Sequence, residues 1–299
     1  RNMLDTKSTG SKIRNTVIHI IVIGLGLISL LPMINIVAIS LSASAAVSAN
    51  KVGLLPIDFT FSAYKRIIED EQFWHSFGIS TIRVVLTLAL NLVIVVPMAY
   101  AMTKPRREFG ARNIYMNLLI FAMLFNGGMI PTYIVVKNLH LLNTIWALIL
   151  PGAVPVFSVV LLMNFFNGVP KALEEAAAID GARPFQILLE IMVPCAKPCI
   201  ATVSLFSIVG SWNDFFGGLI YMQRVEDYPI MTYIQSLNIN LQELINGAAS
   251  SSALENAAEL SNRNLNAAKI VVAVIPLLLI YPFLQRYLIG GIVMGSVKE

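Results

Sequence analysis

Long apolar runs alternate with shorter polar connections along the chain. The runs cover 17–41, 82–102, 114–136, 144–166, 199–222 and 270–284. A helix needs about 20 mostly apolar residues to cross the hydrocarbon core of a bilayer. The pattern therefore predicts an all-α integral membrane protein with six transmembrane helices. Run 17–41 is longer than a secretory h-region and further runs follow it, so it is expected to stay in the mature protein as a first membrane helix. Pro151 and Pro155 do not disqualify the fourth run, because neighbouring helices can satisfy the carbonyls that a proline frees. Arg83 lies at the outer edge of the second run. The last run is short, but Lys269 and Arg286 flank it and can snorkel to the interfaces. The implied organisation is a tail over 1–16, one membrane domain over 17–290 and a tail over 291–299.

The segment 167–198 departs from this pattern. Within it the stretch PKALEEAAAIDGARPFQILLEIMVPCAKP is polar, helix-forming and punctuated. Pro170 suits a first helical turn, where its missing N–H costs nothing. Lys171 to Ile179 are good helix formers. Asp180-Gly181 stops that helix, with Gly181 able to take the left-handed conformation of a C-terminal cap. Pro184 opens a second helix whose apolar face, through Phe185, Ile187, Leu188 and Ile191, can pack beneath the membrane helices. Pro194 ends it, and Pro198 starts the next run. Ala176, Ala177 and Ala178 beside Glu174 and Glu175 form a small-residue surface with a charge handle. Connections between adjacent helices are commonly two to eight residues, so this hairpin is longer than a connection requires. On physics alone it is either a docking surface or a solvated helical linker.

Charge orients the predicted spans, since Lys and Arg concentrate in cytoplasmic loops. Of the 21 basic residues, 13 fall on the side of the termini and the hairpin, among them Lys104, Arg106, Arg107, Arg112, Lys171, Arg183 and Lys197. The opposite side holds Lys51, Lys65, Arg66, Lys137, Arg224, Arg263 and Lys269. Both termini and the hairpin are therefore expected in the cytoplasm. The charged fraction is 13% and mean hydropathy +0.73; a soluble domain would carry roughly twice that charge. Net charge is +4, but basic cytoplasmic flanks account for it and no nucleic-acid motif appears. Cys195 and Cys199 are expected to be small buried residues, because positions in adjacent helical turns rarely meet disulfide geometry. His19, His75 and His140 are scattered, so neither a catalytic nor a metal site is expected.

The string from Glu175 through Ala176, Ala177 and Gly181 to Ile191 and Pro194 resembles the E-A-A signature of ABC importer permeases. That pattern has Gly after three intervening residues and I-x-L-P after nine more; Val193 replaces the leucine. Trp212-Asn213-Asp214-Phe215, and Tyr281 to Tyr287 followed by Gly295, look like the carbohydrate (MalG-like) branch, most like permeases for oligosaccharides and polysaccharide fragments. The likeness covers roughly 12–299. It departs where the family has Asn-Ser and this chain has Ile79-Ser80-Thr81.

The resemblance implies a type I ABC importer permease fold in a bacterial plasma (inner) membrane. It implies a second homologous permease chain forming a heterodimer, two ATPase subunits and an extracytoplasmic solute-binding protein. No cofactor is bound by this chain, and ATP and Mg belong to the ATPases. In agreement, the sequence has no G-x-x-x-x-G-K-[ST] loop. The chain is thus expected to be non-catalytic. The hairpin becomes the coupling helix: Glu174 and Glu175 as charge anchors, Ala176 and Ala177 for close docking, Asp180 and Gly181 for the turn, and Pro184 and Pro194 framing the second helix.

Polar groups inside spans are costly and face the interior. Substrate-path candidates are Asn126, Trp212, Asn213, Asp214 and Tyr221, since an aromatic beside amides suits a sugar. Asn91 and Asn164 are assigned to interhelical hydrogen bonds. Gly127 to Pro131 would break the third span near its outer end. Cargo from an acidic glycan such as alginate to a neutral one is compatible. The rival classes are an ion-coupled secondary transporter, which would need ionisable relays and often inverted repeats, and an ABC permease for a non-sugar solute.

Overall fold

The computed structural model describes residues 9–237 and 263–295. Among them every regular element is helical. The chain forms two compact units, one from the described parts of Arg1–Asp70 and Leu237–Val272, the other from those of Glu71–Ser236 and Ala273–Glu299.

In the first unit the helix Thr9–Ser40 carries the first apolar run. Ile20, Leu25 and Ile28 along it are exposed, and its last turn, Ala38 to Ser40, is buried. Exposed aliphatic side chains over such a length are what lipid covers. Ser42 pins the turn that follows: its Oγ donates to the Ala38 carbonyl at 2.7 Å and accepts from the Ile57 N–H at 3.0 Å. Ile39, Val47 and Ala267 pack together there. Lys269 does not snorkel as expected. It is buried and pairs with Asp70 at 2.6 Å, because the helix begins at Arg263 and places Lys269 well inside it. The Arg286 side chain and residues 1–8, 238–262 and 296–299 lie outside the described residues.

The second unit is built on the 33-residue helix Glu71–Thr103. It starts 11 residues before the apolar run, so Arg83 sits within the helix and not at its edge. Ser76, Ser80, Arg83, Thr87 and Asn91 form its buried face in one half; Val95, Ala99 and Met102 continue that face in the other. Its first turns hold the segment 225–230: Gln72 Nε2 donates to the Val225 carbonyl at 2.9 Å, and the Ile230 N–H donates to Ser80 Oγ at 2.8 Å.

Three of the remaining runs are broken. Segment 114–136 is not one crossing helix. Arg112–Leu124 and Met129–Asn138 meet at 119° across Gly128, whose φ is +88°. Thirteen residues rise only about 20 Å, short of the roughly 30 Å hydrocarbon core. The fourth run bends 47° between Ile145–Gly152 and Val156–Asn167, at Pro151 and Pro155. The fifth is interrupted at Asp214–Phe215, between Lys197–Asn213 and Phe216–Tyr221. Among the described residues three helices are long and apolar enough to cross a membrane, or up to six segments when each bent pair is one span.

The hairpin follows its punctuation closely. Lys171–Ile179 is helical and Gly181 takes φ +85°. The Ala182 N–H donates to the Ala177 carbonyl at 3.0 Å and the Gly181 N–H to Ala178 at 3.1 Å, the paired bonds of a Schellman cap. The Arg183 N–H donates to Gln186 Oε1 at 2.9 Å, opening the second helix. A wider i→i+5 stretch, Ile187–Met192, precedes Pro194, which has no N–H to give the carbonyl four residues back. The helix continues one residue past Pro194 to Cys195 and turns by 85° into Lys197–Asn213. Ile187, Leu188 and Met192 are buried in the core, whereas Phe185 is exposed. Cys199 is buried and Cys195, contrary to expectation, exposed; both are free thiols.

Candidate functional site

A cavity of about 580 Å³ lies in the second unit, and polar side chains from four broken or crossing segments converge on it. Arg83, Thr87 and Asn91 come from Glu71–Thr103 at helical spacing i, i+4, i+8, which aligns them on one face. Asn126 and Thr132 come from the break of the third run, Ser158 from the fourth, and Ser207, Ser211, Asp214 and Tyr221 from the fifth.

Arg83 organises the site. It is 3% exposed, and burying an unpaired guanidinium in an apolar bundle would be prohibitive. Its Nη1 donates to the Asp214 carbonyl at 3.1 Å, its Nη2 to the Leu148 carbonyl at 3.4 Å, and Nη2 also pairs with the Asp214 carboxylate. It therefore caps backbone carbonyls beside two helix breaks, the requirement for irregular backbone at membrane depth. Asp214 Oδ1 accepts the Gly217 N–H at 3.0 Å, which starts the helix Phe216–Tyr221. Asn91 Nδ2 donates to Ser207 Oγ at 2.9 Å, the interhelical bond expected of it. Arg83 Nε, Thr87 Oγ1 and Asn91 Oδ1 are buried without a partner. Tyr221 stacks nearly parallel on Tyr133, centroids 6.4 Å apart.

Of the substrate-path candidates, Asn126, Asp214 and Tyr221 line this cavity; Trp212 and Asn213 do not. Trp212 is buried, its Nε1 donates to the Ala273 carbonyl at 3.1 Å and its ring meets Phe77 edge-on at 5.5 Å. It packs helices together. Asn213 and Asn164 are exposed. The sequence pattern does not mark Arg83 as a site residue, because it lies at the edge of the second apolar run. A signal existed: Arg83 and Asp214 are the lone formal charges of opposite sign within apolar runs, and each requires a partner.

An apolar cluster follows the cavity along each helix. Val95, Ala99 and Met102 come after Asn91; Val159, Leu162 and Phe166 after Ser158; Cys199 and Val203 precede Ser207. Beyond that cluster lies a second cavity of about 510 Å³ under the hairpin. Glu174 points into it: Tyr100 Oη donates to Glu174 Oε1 at 2.7 Å, and Lys104 pairs with the same carboxylate while lying 4.3 Å from the Tyr100 ring centroid. Burial lowers the Lys104 pKa, against the upward pull of Glu108. Ala177 is half-buried. Glu175, Ala176, Asp180 and Ile179, the last 86% exposed, form the outward face. Pro184 borders the second cavity, and Pro194 is half a turn ahead of the 85° bend.

A polar cavity, an apolar cluster beyond it and an amphipathic hairpin with an exposed outer face, all in the second unit, are the parts of a membrane transport subunit. The chain belongs to the family of binding-protein-dependent transport system inner membrane components, which its residues 80–293 match. It is 40% identical over 275 residues to Protein LplC of Bacillus subtilis (strain 168), covering 92% of this chain and 91% of that one. It is 36% identical over 272 residues to the polygalacturonan/rhamnogalacturonan transport system permease protein YtcP of the same organism, covering 91% and 93%. Among solved structures, a bacterial ABC transporter involved in the import of the acidic polysaccharide alginate superposes with a TM-score of 0.82 at 31% identity, covering 95% of this chain and 99% of that chain.

Proposed function

We propose that the chain is the permease subunit of an ATP-driven ABC importer of carbohydrate, an oligosaccharide or polysaccharide fragment with acidic glycans included. The observation that carries this reading is the order of parts: polar cavity, apolar cluster, hairpin. Asp214, Asn126 and Tyr221 offer a charged acceptor, an amide and an aromatic face to a sugar, and Thr132, Ser158 and Ser211 line the same space. The named cargoes of its relatives, polygalacturonan, rhamnogalacturonan and alginate, support a glycan.

The substrate arrives from an extracytoplasmic solute-binding protein. A second, homologous permease completes the pathway as a heterodimer. Two ATPase subunits bind ATP and Mg, and the exposed face of Lys171–Ile179 docks on one of them. Both termini and the hairpin lie in the cytoplasm. ATP drives the switch because it binds the inward- and outward-facing states with different affinity. The chain itself hydrolyses nothing.

The test is reconstitution with these partners in proteoliposomes. Uptake of a uronate or neutral oligosaccharide is expected to require enclosed ATP and to survive collapse of proton and sodium gradients. Uptake that persists without ATP and stops with the gradient would establish the ion-coupled alternative instead.

A further inference from the structure

Arg83 and Asp214 are the charged side chains lining the 580 Å³ cavity among the described residues. Their side chains differ in access: 4% for Arg83 against 35% for Asp214. The cavity therefore meets a carboxylate whose charge is cancelled from behind. Asp214 Oδ1 accepts the Gly217 N–H at 3.0 Å while Oδ2 pairs with Arg83, so both carboxylate oxygens are held. Only a glycine fits beside them, since a Cβ at position 217 would stand 2.6 Å from Asp214 Oδ2.

We infer that the Arg83–Asp214 pair is the charge-selectivity element of the permease: by keeping the cavity neutral, Arg83 admits glycans that carry carboxylates. This rests on the carbohydrate reading and extends it. Asp214 remains a strong acceptor for sugar hydroxyls, because charge-assisted hydrogen bonds are roughly twice as strong as neutral ones. Without Arg83 the same carboxylate would be an uncompensated negative charge at the cavity wall, repelling a uronate while still accepting from a neutral sugar. Without the Asp214 charge, the guanidinium would draw a uronate in. Arg83 is a positioning residue here; the groups facing the sugar are Asp214, Asn126 and Tyr221.

The experiment uses the reconstituted complex with its binding protein unchanged. Its probes are a galacturonate trisaccharide and the methyl-esterified, neutral trisaccharide, and the readout is the ratio of acidic to neutral uptake. At an effective dielectric of about 20, an unmatched charge roughly 8 Å from a carboxylate shifts binding by roughly thirtyfold. Arg83→Gln is expected to lower the ratio by about that factor and Asp214→Asn to raise it. Arg83→Lys, and the double variant Arg83→Gln/Asp214→Asn, keep the cavity neutral and should retain the wild-type ratio. A role limited to holding helices together would depress both uptakes alike and leave the ratio still. A ratio that does not move, or that both single variants move in the same direction, overturns the inference. A wild-type complex that carries neither these trisaccharides nor alginate or neutral oligosaccharides overturns the carbohydrate reading itself.

Discussion

Gly181 adopts φ +85° because the Schellman cap after Ile179 needs a left-handed residue. A Cβ there would meet no neighbour within 4 Å, so the obstacle to substitution is backbone strain, about 1–2 kcal/mol for an L-residue. Gly181→Leu is therefore expected to insert normally but to turn the hairpin wrongly. ATP hydrolysis by the complex should continue while uptake falls, and normal uptake would remove Gly181 from the coupling turn. Gly218 is constrained differently. A Cβ there would stand 2.8 Å from the Cβ of buried Thr232, whose hydroxyl donates to the Phe215 carbonyl at 2.8 Å. Gly218→Ala should cost about 1–3 kcal/mol by overpacking, visible as a lower Tm of the purified protein; an unchanged Tm would show that Thr232 can yield. The first glycine was legible from its place after a helix-forming run. The second was not, because its neighbour lies 14 residues on, across a turn that no local pattern specifies.

The hairpin and the second span are joined by side chains as well as by packing. Tyr100 and Lys104 sit one turn apart at the end of Glu71–Thr103 and both engage Glu174. Glu174 thus faces its own bundle, while Glu175, its neighbour, faces outward. These contacts tie Lys171–Ile179 to the helix that carries Arg83, Thr87 and Asn91. Tyr100→Phe removes one hydrogen bond to a carboxylate, about 1.5–3 kcal/mol when well made. Its expected effect is fewer glycans carried per ATP hydrolysed; an unchanged ratio of uptake to hydrolysis would mean that the Lys104–Glu174 pair and the core contacts of Ile187 and Leu188 suffice without it. The two-helix hairpin could be read from its prolines and glycine because caps and breaks are local. The sharp break of the third run at Gly128 was signalled by Gly127 to Pro131, but its 119° angle was not, since the direction of a broken helix is set by what it packs against.

Across the described second unit, cavity, seal and hairpin follow one another along three helices. That order is what a subunit needs if movement at one end is to open or close a polar space at the other. The sequence alone determined the membrane class, the apolar runs, the two-helix hairpin with its turn, and a resemblance that family membership upheld. Each of these depends on composition or on residues within about two helical turns, where chain geometry leaves few choices. Tertiary structure alone decided which polar groups meet. It paired Arg83 with Asp214, 131 positions apart, made Trp212 a packing residue and buried Lys269 against Asp70. Such pairings depend on the rotation and bending of whole helices. In a bilayer, which offers no water to a stranded charge, the partner that ends up within reach determines whether a polar residue serves a site or secures the bundle.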